Sequence, residues 1–134
     1  MVVDTGVLVS AFAFGGIPEK ALRKAFVEAE IYVSPPLLKE YREVPLALKS
    51  QGKIDHLQLK SLLSGIASFV VAAKVVHPHT NITICRDPGD NMLVECSFAA
   101  KAEVLITSDK DLLSLRDLPF DLAIRTPRAF LEDE

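Results

Sequence analysis

The 134-residue chain has only two cysteines and three histidines. Cys85 and Cys96 have no metal-type spacing, and both lie among apolar residues, where a reduced, buried thiol is the expected state. His56, His77 and His79 lack the mutual spacing of ligands that converge on a helix face, so a histidine-based metal site is not anticipated. Positive charge is in short supply as well. Fifteen Lys and Arg against eighteen Asp and Glu leave a formal net charge of -3, so no broad basic surface advertises nucleic acid. That balance does not exclude an enzyme that meets phosphate through a bound metal. No long apolar run is present. The longest, around Ile66 to Ala73, is far short of the roughly 18 residues that a membrane span needs. No charged leader followed by an apolar segment and cleavage site precedes the first strand pattern, so a cytoplasmic protein is expected. Repeats, linkers and low-complexity tracts are missing too.

What the chain does contain is apolar residues, at 49% of the total with a mean hydropathy of +0.26. This length supports one domain, residues 1–134, around one well-filled core. Short apolar runs alternate with helical patterns. Val2-Val3-Asp4 reads as a first strand ending in a carboxylate, with apolar structure continuing through Val7-Leu8-Val9 and Ala11-Phe12-Ala13. Gly15-Gly16-Ile17-Pro18 breaks the pattern, and Pro18 suits the first turn of a helix over Glu19 to Glu30. Ile31-Tyr32-Val33-Ser34 reads as a second strand. Pro35-Pro36 then opens a helix bearing Leu37, Leu38, Tyr41, Val44 and Leu48, which Pro45 is expected to kink or interrupt. Gly52 is a stop, and Asp55 with Gln58 resembles a capping box for a helix carrying Leu59, Leu62, Leu63 and Ile66. Where that helix gives way to Phe69-Val70-Val71 is left open by the pattern.

After a turn at His77-Pro78-His79, a run through Ile84 and Cys85 looks like a buried strand leading to Asp87-Pro88-Gly89-Asp90-Asn91. Asn91 to Ala102 is apolar on nearly all sides, predicting a buried helix. Val104-Leu105-Ile106 then reads as another strand, ending in Thr107-Ser108-Asp109. Leu122-Ala123-Ile124 looks like a last strand before a short helix from Thr126-Pro127 with Phe130 and Leu131. The acidic end Glu132-Asp133-Glu134 opposes that helix's dipole and is expected to fray. Strands alternating with helices imply a parallel sheet covered on both faces.

Three strands ending in aspartate would gather charge at one edge, because ligands of open α/β sheets bind at the carboxyl ends of the strands. Carboxylates at that density repel one another, and a divalent cation is the usual remedy. Each acid also has an ordinary reading. Asp90 and Asp109 precede helices and could be N-caps. Asp4 is harder to dismiss, since an ionised group beside two apolar strand residues must find partners near the core. Glu40 and Glu43 lie three residues apart on one helix, and only one of them can point well into the crevice.

Asp4 after the first strand, Leu38-Lys39-Glu40-Tyr41-Arg42-Glu43-Val44, Asp87-Pro88-Gly89-Asp90-Asn91 and Thr107-Ser108-Asp109-Lys110-Asp111-Leu112-Leu113, taken in that order, resemble the PIN-domain nucleases. The likeness is strongest to small single-domain toxins of toxin-antitoxin pairs, and it extends to Thr126-Pro127-Arg128-Ala129-Phe130-Leu131. It implies a three-layer α/β/α sandwich with a central parallel sheet, divalent-metal-dependent ribonuclease activity, a cognate antitoxin and homodimers. By the same resemblance Asp4, Glu40, Asp90 and Asp109 are the four acidic catalytic and metal-binding residues, with Thr107 supporting the last. The family commonly carries Asn two residues after its first Asp, whereas this chain has Gly6 and so lacks a polar side chain that orients a carboxylate or water there.

Hard oxygen ligands suit Mg²⁺ or Mn²⁺, which neutralise charge at phosphorus and make a water nucleophilic. Asp4 and Asp109 are expected to contact the ion directly or through water, with Asp90 beside them and Glu40 acting on a water. Asp111, Asp87 and Glu43 are second candidates, each with an ordinary role as cap, turn former or surface charge. Arg86, Lys110 and Lys39 are candidates for steering the RNA backbone. Two rival classes remain. A phosphatase or phospho-acceptor domain also places Asp after its first strand, but it wants a further acid nearby where Gly6 stands. In a non-catalytic partner-binding domain, the aspartates would serve only as caps.

Overall fold

A computed structural model describes residues 1–132. In chain order the elements are β1 (Val2–Val3), α1 (Thr5–Val9), a π-helical turn (Ser10–Phe14), α2 (Gly16–Glu28), β2 (Tyr32–Val33), α3 (Pro35–Ser50) and α4 (His56–Ala72). They continue with β3 (Lys74–Val75), a 3₁₀ turn (Pro88–Asp90), α5 (Asn91–Ala100), β4 (Val104–Ile106), α6 (Lys110–Leu113), β5 (Ala123–Arg125) and α7 (Pro127–Glu132).

All strand pairs are parallel. β4 lies between β1 and β5, while β2 pairs with β3. The Tyr32 amide donates to the Met1 carbonyl at 2.9 Å, which joins the two ladders into one layer. The fold is therefore α/β, with a parallel sheet between helical layers, as the alternation of patterns implied. The centre of the sheet is apolar and buried: Val2, Val3, Val33, Leu105 and Ile106 are fully enclosed. No helix among the described residues is long and apolar enough to cross a membrane.

Local chemistry explains the helix starts. The Ser34 hydroxyl accepts from the Leu37 amide ahead of Pro35 and Pro36, and Asp55 and Gln58 form the expected capping box. Phe69 of α4 meets Phe26 of α2 and Tyr41 of α3 edge-on, at ring separations of 5.4 and 6.0 Å. The π-helical turn presses the Phe12 ring onto Gly65 of α4, where an added Cβ would collide with it.

Several local expectations are corrected. The run through Ile84 and Cys85 is not a strand. Only Ile82 of it is fully buried, and the segment's amides are taken by α5 side chains: Ile82 N–H donates to Glu95 Oε2 at 2.9 Å and Cys85 N–H to Asn91 Oδ1 at 3.0 Å. Two strands, not three, therefore lead into the aspartates. α3 runs through Pro45, which is buried, without interruption. α4 extends through the Phe69-Val70-Val71 run to Ala72, and the strand that follows, Lys74–Val75, escapes the hydrophobic pattern because both its residues are exposed. α5 is not enclosed on all sides, since Phe98 is exposed. Both cysteines are free, Cys96 buried and Cys85 half-buried. Of the acidic end, Asp133 and Glu134 lie outside the described residues.

Candidate active site: a carboxylate cluster

The site is built by the register of two neighbouring strands. Val3 of β1 stands beside Ile106 of β4, and the Asp4 amide donates to the Ile106 carbonyl at 2.9 Å. The chain therefore leaves both strands at one place, carrying Asp4 on one side and Thr107-Ser108-Asp109 on the other. Thr107 is completely buried and couples the two: its hydroxyl donates to Asp4 Oδ2 at 2.6 Å and accepts from the Asp109 amide at 3.0 Å. Thr107 thus supports Asp109 through the backbone and Asp4 through the side chain.

The capping explanation of each acid can now be weighed. Asp109 is a cap, but with one oxygen only, Oδ1, which accepts from the Asp111 amide at 2.9 Å. Asp90 leads into α5 without any side-chain capping bond, and its Oδ2 is buried with no hydrogen-bond partner. Asp4 likewise makes no side-chain cap on α1. Glu40 shares the inward side of α3 with buried Leu37 and Tyr41, and its Oε2 accepts the Thr5 hydroxyl. Glu43 is exposed, 3.9 Å from Lys39, so of the two glutamates it is Glu40 that turns inward.

The electrostatics report a crowded, partly dehydrated group of acids. Burial pushes the Asp4 carboxyl up, against the Thr107 hydroxyl and the Gly6 amide that favour the anion, and the Asp109 charge pushes the same way as burial. Burial also raises Glu40 despite the Thr5 hydroxyl, with Asp4 and Asp87 adding repulsion. Asp90 is pushed up to about 7 by burial, by its hydrogen bond with Asp109, and by the charges of Asp109, Asp87 and Asp4. Two carboxyls make such a bond only by retaining a proton between them. The field reaches Cys85, whose thiol is raised to about 11 by burial and then by Asp90, Asp109, Asp87 and Glu95.

Would a divalent cation fit? Among the described residues no three Asp, Glu, His or Cys side chains form a ready-made metal cage. Mg²⁺, however, takes one or two carboxylates and keeps several waters, so a complete cage is not what it requires. The donors are all hard oxygens, one buried oxygen of Asp90 is unpartnered, and the charges of Asp109, Asp87 and Asp4 crowd Asp90 in a way that a cation would relieve. On those three grounds the residues fit the ion.

The second candidates have ordinary partners. Asp87 accepts the Gly89 amide at 3.0 Å and caps the 3₁₀ turn. Asp111 sits 3.9 Å from Arg86, an exposed residue at the rim, and Lys110 is exposed at the start of α6. Sequence reading missed Thr5, because its contact with Glu40 spans 35 residues and exists only once α3 packs beside α1. The one signal available was its place directly after Asp4.

The family model for the PIN domain matches residues 1–111. The chain belongs to the PIN-domain family. PIN domains are generally nucleases and typically use divalent metals. The uncharacterized protein MJ1680 of Methanocaldococcus jannaschii is 34% identical to this chain over 142 residues, spanning 99% of this chain and 90% of that protein. A chain in the crystal structure of VapBC2 from Rickettsia felis, bound to a DNA fragment from the promoter of its own genes, superimposes with a TM-score of 0.63. That match covers 93% of this chain and 96% of the other at 14% identity, so the likeness is one of fold. In this PIN domain the matched region contains Asp4, Glu40, Asp90 and Asp109.

Proposed function

We propose that this chain is a divalent-metal-dependent endoribonuclease, formed by one PIN-like domain over residues 1–134 and acting as the toxin of a toxin-antitoxin pair. The observation that carries the reading is the coupling of Asp4 and Asp109 through one buried threonine, with the unpartnered Asp90 oxygen beside them. When bound, Mg²⁺ or Mn²⁺ supplies charge neutralisation at the phosphate and a more acidic water. Asp4, Asp90 and Asp109, with Glu40, would hold the ion, directly or through water. Glu40, kept inward by Thr5 and raised by burial, orients the attacking water and takes its proton. Arg86 and Lys110 at the rim meet the RNA backbone. A cognate antitoxin is the expected partner, in keeping with the fold shared with a chain of a VapBC2 complex, and the chain is proposed to act as a homodimer.

The test uses purified protein, labelled single-stranded RNA, and Mg²⁺, Mn²⁺ or EDTA, beside Asp4→Asn and Asp109→Asn. Cleavage should need the metal and fall roughly 100-fold or more in both variants, the scale of losing a catalytic group. Cleavage indifferent to EDTA and to both substitutions rejects the proposal. A phosphoryl adduct on Asp4 after incubation with a small phosphodonor would favour the phosphatase class.

A further inference from the structure

The four acids differ in how their oxygens are tied. Asp4 is held by the Thr107 hydroxyl and by the Gly6 amide, and Asp109 by the Asp111 amide, so both are fixed by groups close to their own strand ends. Glu40 sits on a different element, in the middle of α3, and reaches the cluster on a long side chain with several rotatable bonds. Glu43, one turn on, lies at the exposed side of α3 and pairs with Lys39. Among the described residues, the hydrogen bond that holds Glu40 inward comes from Thr5.

Thr5 is suited to that task. It is 3% exposed, it follows Asp4 directly, and it is the first residue of α1. Its branched Cβ restricts the rotamer, so the hydroxyl direction is set by the backbone of the β1–α1 junction. That junction is itself locked to β4 by the Asp4 amide on Ile106. The Tyr41 hydroxyl, from the residue next to Glu40, donates to the Val3 carbonyl of the same junction. α3 is thus pinned to the β1–α1 junction at two successive residues, by the Glu40 carboxylate and by the Tyr41 hydroxyl.

We infer that Thr5 is a positioning residue: its hydroxyl fixes the Glu40 carboxylate against the Asp4 side of the cluster, and without it the fourth acid leaves the metal site. The inference rests on the metal-dependent nuclease reading and adds a residue to it. Partners that orient ligating carboxylates typically change metal affinity tenfold or more when removed.

Mn²⁺ binding to the purified full chain, followed by calorimetry and by the loss of the free-ion EPR signal, tests it without recourse to turnover. Thr5→Val, which keeps the shape and deletes the hydroxyl, should weaken Mn²⁺ binding roughly tenfold, and Thr5→Ser, which keeps the hydroxyl, should stay within about twofold of the wild type. In a Glu40→Gln background Thr5→Val should have no further effect, because it acts only through Glu40. Urea unfolding in EDTA verifies that the variants are folded, and Thr5→Ala makes the same deletion should the valine fail to fold. Wild-type affinity in folded Thr5→Val, a serine variant as weak as the valine, or full additivity with Glu40→Gln overturns the inference while leaving the nuclease reading intact. A wild-type protein that binds no Mn²⁺, or binds it equally after Asp4→Asn, overturns both.

Discussion

The carboxylate end of the sheet and the contact between the π-helical turn and α4 are built on opposite terms. At the turn, Phe12 lies on Gly65 with no room for a further carbon, and nothing charged is involved. At the carboxylate end, four acids are held where burial and mutual repulsion raise Asp4, Glu40 and Asp90, and one buried oxygen has no partner. Packing in the first region serves stability alone. The second region gives up stability for an arrangement that only a ligand completes, the pattern expected of a functional site. Substitutions should therefore separate the two: damage to the first lowers stability and spares chemistry, while damage to the second spares or raises stability and removes chemistry.

The sharpest break of the first region is Gly65→Ala. Alanine is the better helix former by about 1 kcal/mol, but its Cβ must displace an aromatic ring wedged between two elements. Overpacking of this kind costs roughly 1 to 3 kcal/mol, so after alanine's helical advantage a net loss of up to about 2 kcal/mol is expected in urea unfolding, with cleavage by the folded fraction unchanged. In a Phe12→Ala background the ring is gone, and the same substitution should be neutral or stabilising. A loss that persists there would show that the clash is not its cause.

Asp90→Asn probes the second region. In wild type the folded state keeps the Asp90 proton up to about pH 7, whereas the unfolded chain releases it near 4, the ordinary aspartate value. Between those limits the folded state binds more protons, so this group's contribution to stability is whole at low pH, declines as pH rises, and is gone above about 7. Asparagine carries no titrating proton and can still donate to Asp109. The difference in urea midpoint between variant and wild type in EDTA should therefore grow in the variant's favour from pH 5 to pH 8, while metal-dependent cleavage disappears. An unchanged difference across that range would mean that Asp90 is ionised throughout.

How much of this could be read from residues alone follows from which interactions are local. Helix caps depend on neighbours three or four positions apart, and Asp55 with Gln58 and Ser34 before Pro35 were legible. Asp4 and Asp109 were legible as a pair because each closes a short apolar run, and parallel strands bring such ends together. Glu40 was preferred to Glu43 only through the family resemblance, and the hydroxyl that holds it inward, that of Thr5, lies 35 residues away. The segment through Ile84 misled for a related reason. Its composition is that of a strand, but its amides are satisfied by Glu95 and Asn91 side chains, and no pattern of hydrophobicity encodes that alternative. Lys74–Val75 failed in the other direction, as a two-residue exposed edge with no apolar periodicity to detect.

A second glycine gives the comparison its finest test. Gly6, like Gly65, sits within a helix, yet a Cβ added there meets nothing within 4 Å, and no positive φ demands glycine. Gly6→Ala should therefore stabilise the protein by about 0.5 to 1 kcal/mol, the ordinary helical advantage of alanine, against the loss expected at Gly65. The change keeps the backbone amide that helps to hold the Asp4 anion, so metal-dependent cleavage should remain within about twofold of the wild type. Two identical substitutions in two helices would then carry opposite signs, for reasons of space alone. Destabilisation by Gly6→Ala would mean that the first turn of α1 is tighter than its contacts indicate, and that the carboxylate end is packed as closely as the aromatic contact it has been set against.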